Sequence, residues 1–232
     1  MNDMTTTAAL SPALRDGIDR YEAGQYDRAY ALFQTLADRD DPTAWFWLAV
    51  MQANGDGMPT DKAQGVRFCQ RAAELGNIQA MTNLGVSYVQ GEGVAADPET
   101  GLRWLCRAAD AGDTGAQFNA ATLLSAGKLV EKDLPRAVDY YRMAAEAGYF
   151  PAQARLGFCY RNGSGTARDR RKAFLWLTLA AQHGAGTAIN MLEGLVAEMS
   201  PDELHDGQEL VETWMERHGH QGAAPRFQVE TK

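Results

Sequence analysis

Between residues 42 and 185 the apolar positions fall at helical spacing, and the whole pattern returns every 36 residues. One column reads Ala44, Ala80, Ala116, Ala152 and Ala188; another reads Leu48, Leu84, Ala120, Leu156 and Leu192. A third holds large rings: Phe68, Trp104, Tyr140 and Trp176. Polar and glycine punctuation keeps the same beat. Asp61, Asp97, Asp133 and Asp169 stand where helices should start, because an aspartate there accepts from unpaired backbone N–H groups and faces the positive end of the dipole. Pro98 and Pro151 suit first helical turns. Gly76, Gly112, Gly148 and Gly184 follow Ala-Ala pairs, and Gly55, Gly91, Gly127 and Gly163 close the other helix of each unit.

The pattern therefore predicts two antiparallel helices per unit, A then B, over 42–77, 78–113, 114–149 and 150–185. A single pair cannot bury both its faces. Stacked pairs can, so the repeated helix end is a corner at which the chain reverses to add a layer. The ring column is expected in the core between helices, and no strand is expected. The predicted class is an all-α, right-handed superhelical solenoid.

The motif A-x-x-x-L-G-x-x-Y-x-x-G-x-G-V-x-x-D, followed by a helix ending AA-x-x-G, resembles the Sel1-like repeat, a relative of the tetratricopeptide repeat. It stands here as "AMTNLGVSYVQGEGVAADPETGLRWLCRAADAGD" (80–113) and "AQARLGFCYRNGSGTARDRRKAFLWLTLAAQHGA" (152–185). The copy at 42–77 has Ala49 and Gln52 in the glycine and tyrosine columns. The copy at 114–149 has Ala120, Leu124 and Leu129 where the motif has Leu, Tyr and the second Gly of G-x-G. Residues 12–41 resemble a degenerate tetratricopeptide helix pair, with Gly17, Gly24, Tyr26, Ala29 and Phe33 in its columns. Residues 186–217 are expected to be capping helices, the last opened by Ser200-Pro201-Asp202-Glu203, a capping box. The tail 218–232 is expected to be flexible. All of this is read as one domain, 1–232.

Composition narrows the function. Hydrophobic residues make up 45% of the chain, and its formal net charge is −8. No Lys/Arg run offers a phosphate footprint, so nucleic acid is not expected as a partner. No apolar run reaches about 18 residues, so no membrane insertion is expected. The N-terminus has neither a basic nor an apolar signal region. Cys69, Cys106 and Cys159 are odd in number and irregular in spacing. They read as buried apolar residues of a cytoplasmic protein. No P-loop, dinucleotide fingerprint, nucleophile elbow or Cys-x-x-Cys is present. His218 and His220 have no accompanying ligand pattern. Neither a cofactor nor a metal is expected, nor catalysis. Secreted Sel1-like forms with penicillin-binding activity carry two cysteines per repeat, which this chain lacks, so that hydrolytic reading ranks last.

What remains is a surface. By similarity to tetratricopeptide grooves, the concave face is lined by helices A. Its expected stripe is Phe46 and Val50, Thr82 and Val86, Phe118 and Thr122, and Ala154 and Phe158. Trp47, Asn83, Asn119 and Arg155 form the neighbouring column, and Gln90, Arg161 and Asn162 lie at the far helix ends. Asn can donate and accept toward an extended backbone, and Arg155 and Arg161 can meet a carboxylate. The expected function is a non-catalytic protein-interaction scaffold or adaptor of bacterial type, binding a partner protein or peptide. The alternative is a dedicated inhibitor, chaperone or immunity protein for one partner. A monomer is favoured, and the partner's identity stays open.

Overall fold

The computed structural model describes residues 10–184 and 186–218. Among them lie twelve α-helices and no strand. The chain divides into two compact units, Met1–Asp113 and Thr114–Lys232. The first holds α1 (Pro12–Glu22), α2 (Tyr26–Ala37), α3 (Pro42–Asn54), α4 (Lys62–Glu74), α5 (Ile78–Gln90) and α6 (Pro98–Asp110). The second holds α7 (Thr114–Ala126), α8 (Leu134–Glu146), α9 (Phe150–Asn162), α10 (Arg170–Gln182), α11 (Gly186–Val196) and α12 (Pro201–Arg217). The tail beyond His218, expected to be flexible, lies outside the described residues.

Each A-to-B reversal is built the same way. Asp61, Asp97, Asp133 and Asp169 cap α4, α6, α8 and α10, their carboxylates accepting from Gln64, Thr100, Arg136 and Lys172 N–H. The backbone N–H of each aspartate also donates back to the preceding A helix. The acceptors are the carbonyls of Gln52, Tyr88, Leu124 and Tyr160, at 2.8–3.1 Å. The B-to-A corners repeat as well: Asn77, Asp113 and Tyr149 N–H donate to Ala72, Ala108 and Ala144 C=O. These bonds satisfy helix-end groups that would otherwise be orphaned.

The corner glycines also fix how pairs stack. Gly93 has φ +72°, and a Cβ there would lie 2.4 Å from the Lys62 carbonyl oxygen at the start of α4. Gly165 repeats the contact against the Leu134 carbonyl oxygen at the start of α8, also at 2.4 Å. The second glycine of the G-x-G corner is thus shaped around the previous B helix, not its own pair. In the copy that carries Leu129 there, the leucine is 56% exposed.

Ala44, Ala80, Ala116, Ala152 and Ala188 are fully buried, as are Leu84 and Leu156. The ring column divides. Tyr140 and Trp176 are buried, whereas Phe68 and Trp104 are half-buried. Trp104 carries the Arg107 guanidinium over its ring at 4.4 Å. The expectation of a uniform aromatic core is corrected accordingly: in α4 and α6 the B-helix ring sits at the margin.

The ends of the array are joined by ordinary cores. Leu14, Ala29, Phe33 and Ala37 of α1–α2 cluster with Ala44, Leu48 and Met51 of α3. At the other end α12 has the expected capping box, Ser200 accepting from Glu203 N–H and Glu203 from Ser200 N–H. It buries Leu204, Gly207, Val211 and Met215, and sets Trp214 edge-on to Trp176 at 6.0 Å.

Two stability outcomes follow from this packing. Gly93→Ala combines a left-handed backbone with a backbone clash and should lower unfolding free energy by about 2–4 kcal/mol. Gly112→Ala, at φ +95° but with nothing within 4 Å, should lose only about 1 kcal/mol. Trp176→Ala should cost about 3–5 kcal/mol and Trp104→Ala about half as much. Urea titrations followed by circular dichroism check all four; equal losses within either pair would contradict the assignments.

Candidate functional site

The B helices carry charges of both signs, such as Arg67, Arg71 and Glu74 in α4 or Arg136, Asp139 and Arg142 in α8. The A helices differ. Neither α3, α5 nor α7 contains any Asp, Glu, Lys or Arg. Among the repeat A helices only α9 is charged, through Arg155 and Arg161. In a chain of net charge −8 this leaves uncharged helix faces beside strongly charged ones.

In the first unit those faces form a groove. A cavity of about 550 Å³ opens between α3 and α5, with α4 as its floor. Val50 and Val86 of the expected stripe meet there with Asn83 of the neighbouring column. Ala53 and Asn54 add to the α3 wall, while Lys62, Val66 and Cys69 come from α4. Glu92 completes the lining and forms an ion pair with Lys62. The Cys69 thiol donates to the Ala80 carbonyl at 3.2 Å, and burial pushes its pKa up to about 12. It is an apolar floor atom, not a nucleophile.

Other expected positions are used by the fold itself. Phe46 is buried. Trp47 stacks on Phe33 at 5.7 Å with an 8° tilt and touches Tyr21, so it belongs to the core shared with α1–α2. Thr82 Oγ1 lies 3.1 Å from Asp113 Oδ1 and 3.2 Å from the Ile78 carbonyl. Gln90 is exposed outside the cavity.

In the second unit Phe118 packs against Tyr141 and Tyr149, at 5.8 and 5.3 Å. The Thr122 hydroxyl donates to the Phe118 carbonyl at 2.8 Å and lies 3.3 Å from the Tyr141 hydroxyl. Asn119 and Ala154 are half-buried, whereas Arg155, Phe158 and Asn162 are exposed. Arg161 is not available to a carboxylate from outside. It reaches across to α11, donating to the Met191 carbonyl at 3.1 Å and to Glu198 at 2.7 Å. That bond, with Arg168 nearby, holds the Glu198 carboxyl below its usual range. Arg161 is a strap between neighbouring A helices.

Sequence reading missed Lys62, Val66 and Glu92, because it sought the groove on A helices alone, whereas the first two belong to α4 and Glu92 to the corner after α5. It also missed Phe150, which is 42% exposed and stacked on His183 at 5.5 Å. The lack of charge along α3, α5 and α7 was the signal for the α3–α5 groove, and it carries nothing about α9. Among the described residues no three His, Cys, Asp or Glu side chains converge as a metal set. No described helix is long and apolar enough to cross a membrane.

A family model for the Sel1 repeat matches residues 42–77, 78–113, 114–149 and 151–184. The crystal structure of a Sel1 repeat protein from Oxalobacter formigenes is similar at 25% identity, over 90% of this chain and 85% of that one, with TM-score 0.75. A protective antigen of uropathogenic Escherichia coli strains, displaying an SLR fold, is 22% identical, with TM-score 0.53. That likeness covers 95% of this chain and 58% of that one. YrrB, a TPR protein with an unusual peptide-binding site, is 19% identical over 79% of this chain and 91% of that one, with TM-score 0.50. No curated protein sequence matches the chain.

The groove floor makes a chemical prediction. A neutral Cys69 is favoured in the folded state, so stability tied to it is present below its ordinary pKa of about 9 and is lost as pH rises toward 12. At pH 8 a thiol reagent should label Cys69 only as fast as the chain unfolds. Rapid labelling of folded protein, mapped to Cys69 by peptide mass, would show that the floor is open.

Proposed function

Because the chain belongs to the Sel1 repeat family, we propose that it is a non-catalytic protein-interaction scaffold that holds a partner protein or peptide on the faces of its repeat A helices. The observation that carries this reading is the absence of charge from α3, α5 and α7. Solvated helix faces normally carry charge, and interface centres are depleted of it. The groove between α3 and α5 is the anchor. Its volume of about 550 Å³ suits apolar side chains of a bound segment, and Val50, Val66 and Val86 supply apolar wall. Asn83 at its lip has a donor and an acceptor for that segment's backbone. In this reading residues 12–41 and 186–217 close the two ends of the repeat array. The three cysteines are buried, which suits a reducing, cytoplasmic compartment.

The test is site-specific photo-crosslinking in native cell extract. A photoreactive residue at Val50 or Val86 should capture a partner, whereas one at Gln70 or Arg103 on the outer B helices should not. One stoichiometric product would favour a dedicated inhibitor, chaperone or immunity role, and several would favour an adaptor. Capture from the B-helix positions alone would overturn the proposal.

A further inference from the structure

The second unit offers a face of different chemistry. Phe150, Ala154 and Phe158 stand at i, i+4 and i+8 of α9, so they share one side of the helix over about 12 Å. The two phenylalanines are 42% and 43% exposed, unusual for large apolar side chains two turns apart on one face with only an alanine between them. Arg155 borders this stripe, one turn from Phe158. It has no ion pair or hydrogen bond among the described residues.

The other cations around this end of the unit are already matched. Arg161 and Arg168 pair with Glu198, Arg170 with Glu203, Arg171 with Asp206, and Lys172 with Asp169. Arg155 is therefore the one charge on the repeat A helices left without a counter-ion among the described residues.

Resting on the interaction reading above, we propose that the α9 face docks an acidic amphipathic segment of a partner protein. Its apolar side chains cover Phe150 and Phe158, and one of its carboxylates meets Arg155. The charge argument selects this occupant over a lipid surface. A membrane needs several unmatched cations to gain useful attraction, and here there is one on a chain of net charge −8. The guanidinium instead has the planar fork that suits a single carboxylate.

The experiment uses the full chain and three fluorescein-labelled synthetic helices of about four turns each. They share a leucine stripe and carry Glu, Gln or Lys at one position beside it. In fluorescence anisotropy the Glu peptide should bind about fivefold tighter than the Gln peptide, and the Lys peptide weakest. The Glu preference should shrink in high salt. Arg155→Gln should erase the preference while leaving the Gln peptide's affinity unchanged. Phe150→Ala with Phe158→Ala should weaken all three at least about fivefold. Both residues are surface side chains, and an unchanged melting curve confirms that the variants fold.

Equal affinity for the three peptides, a preference that survives Arg155→Gln, or no binding up to the solubility limit would overturn the proposal. So would dimerisation by sedimentation, or binding to phosphatidylglycerol vesicles, that the double phenylalanine variant abolishes. Crosslinking at Val50 and Val86 reports on the first unit alone. If it succeeds while the peptides fail, only the α9 assignment falls.

Discussion

The bond from the Asp97 N–H to the Tyr88 carbonyl, repeated at Asp61, Asp133 and Asp169, is the contact on which the array of helix pairs depends. The same residue starts helix B with its carboxylate and ties back to helix A with its backbone. One residue thus sets both where B begins, through its side chain, and where A stops, through its backbone. Each bond is worth only about 1 kcal/mol. Its value lies in register: the alanines at 80, 116 and 152 can be fully buried only if each pair reverses at the same residue.

Register in turn decides which faces are left for use. The alanine and leucine columns take the inward side of each A helix, and the capping charges go to the B helices. The remaining A side is neutral in α3, α5 and α7. The chain does not leave every such face open. Trp47 is spent joining α3 to α1–α2, and Arg161 is spent joining α9 to α11. What stays accessible is the groove around Val50, Asn83 and Val86, and the α9 stripe.

The helices were legible because their signals are local. An aspartate at the cap, an alanine pair and a terminal glycine each act within one turn, and recurrence at 36 residues multiplied the signal. The site was legible only in part. Val50, Asn83 and Val86 line the open cavity, and Phe158 is exposed. Trp47 shares the column of Asn83 yet is taken up by the fold, since α1 and α2 bring Tyr21 and Phe33 against it. Arg161 looked like a ligand-binding cation until Glu198, 37 residues later, was placed beside it. Column position alone carries no information about a partner so distant in sequence. Trp104 shows the same limit, sharing a column with buried Trp176 but sitting at the margin under Arg107.

The contact of Gly93 with the Lys62 carbonyl bears on how such a chain can change by duplication or loss of repeats. The glycine is written in one repeat but answers a demand made by the repeat before it. Copies are therefore interchangeable only where that glycine is kept. Moving the 114–149 copy, with Leu129 in the column, behind α4 would drive a side chain into a backbone carbonyl. Repeat order is then constrained by backbone sterics at the joints, independently of what any repeat binds, and an expansion of the array would be expected to draw on the glycine-bearing copies first.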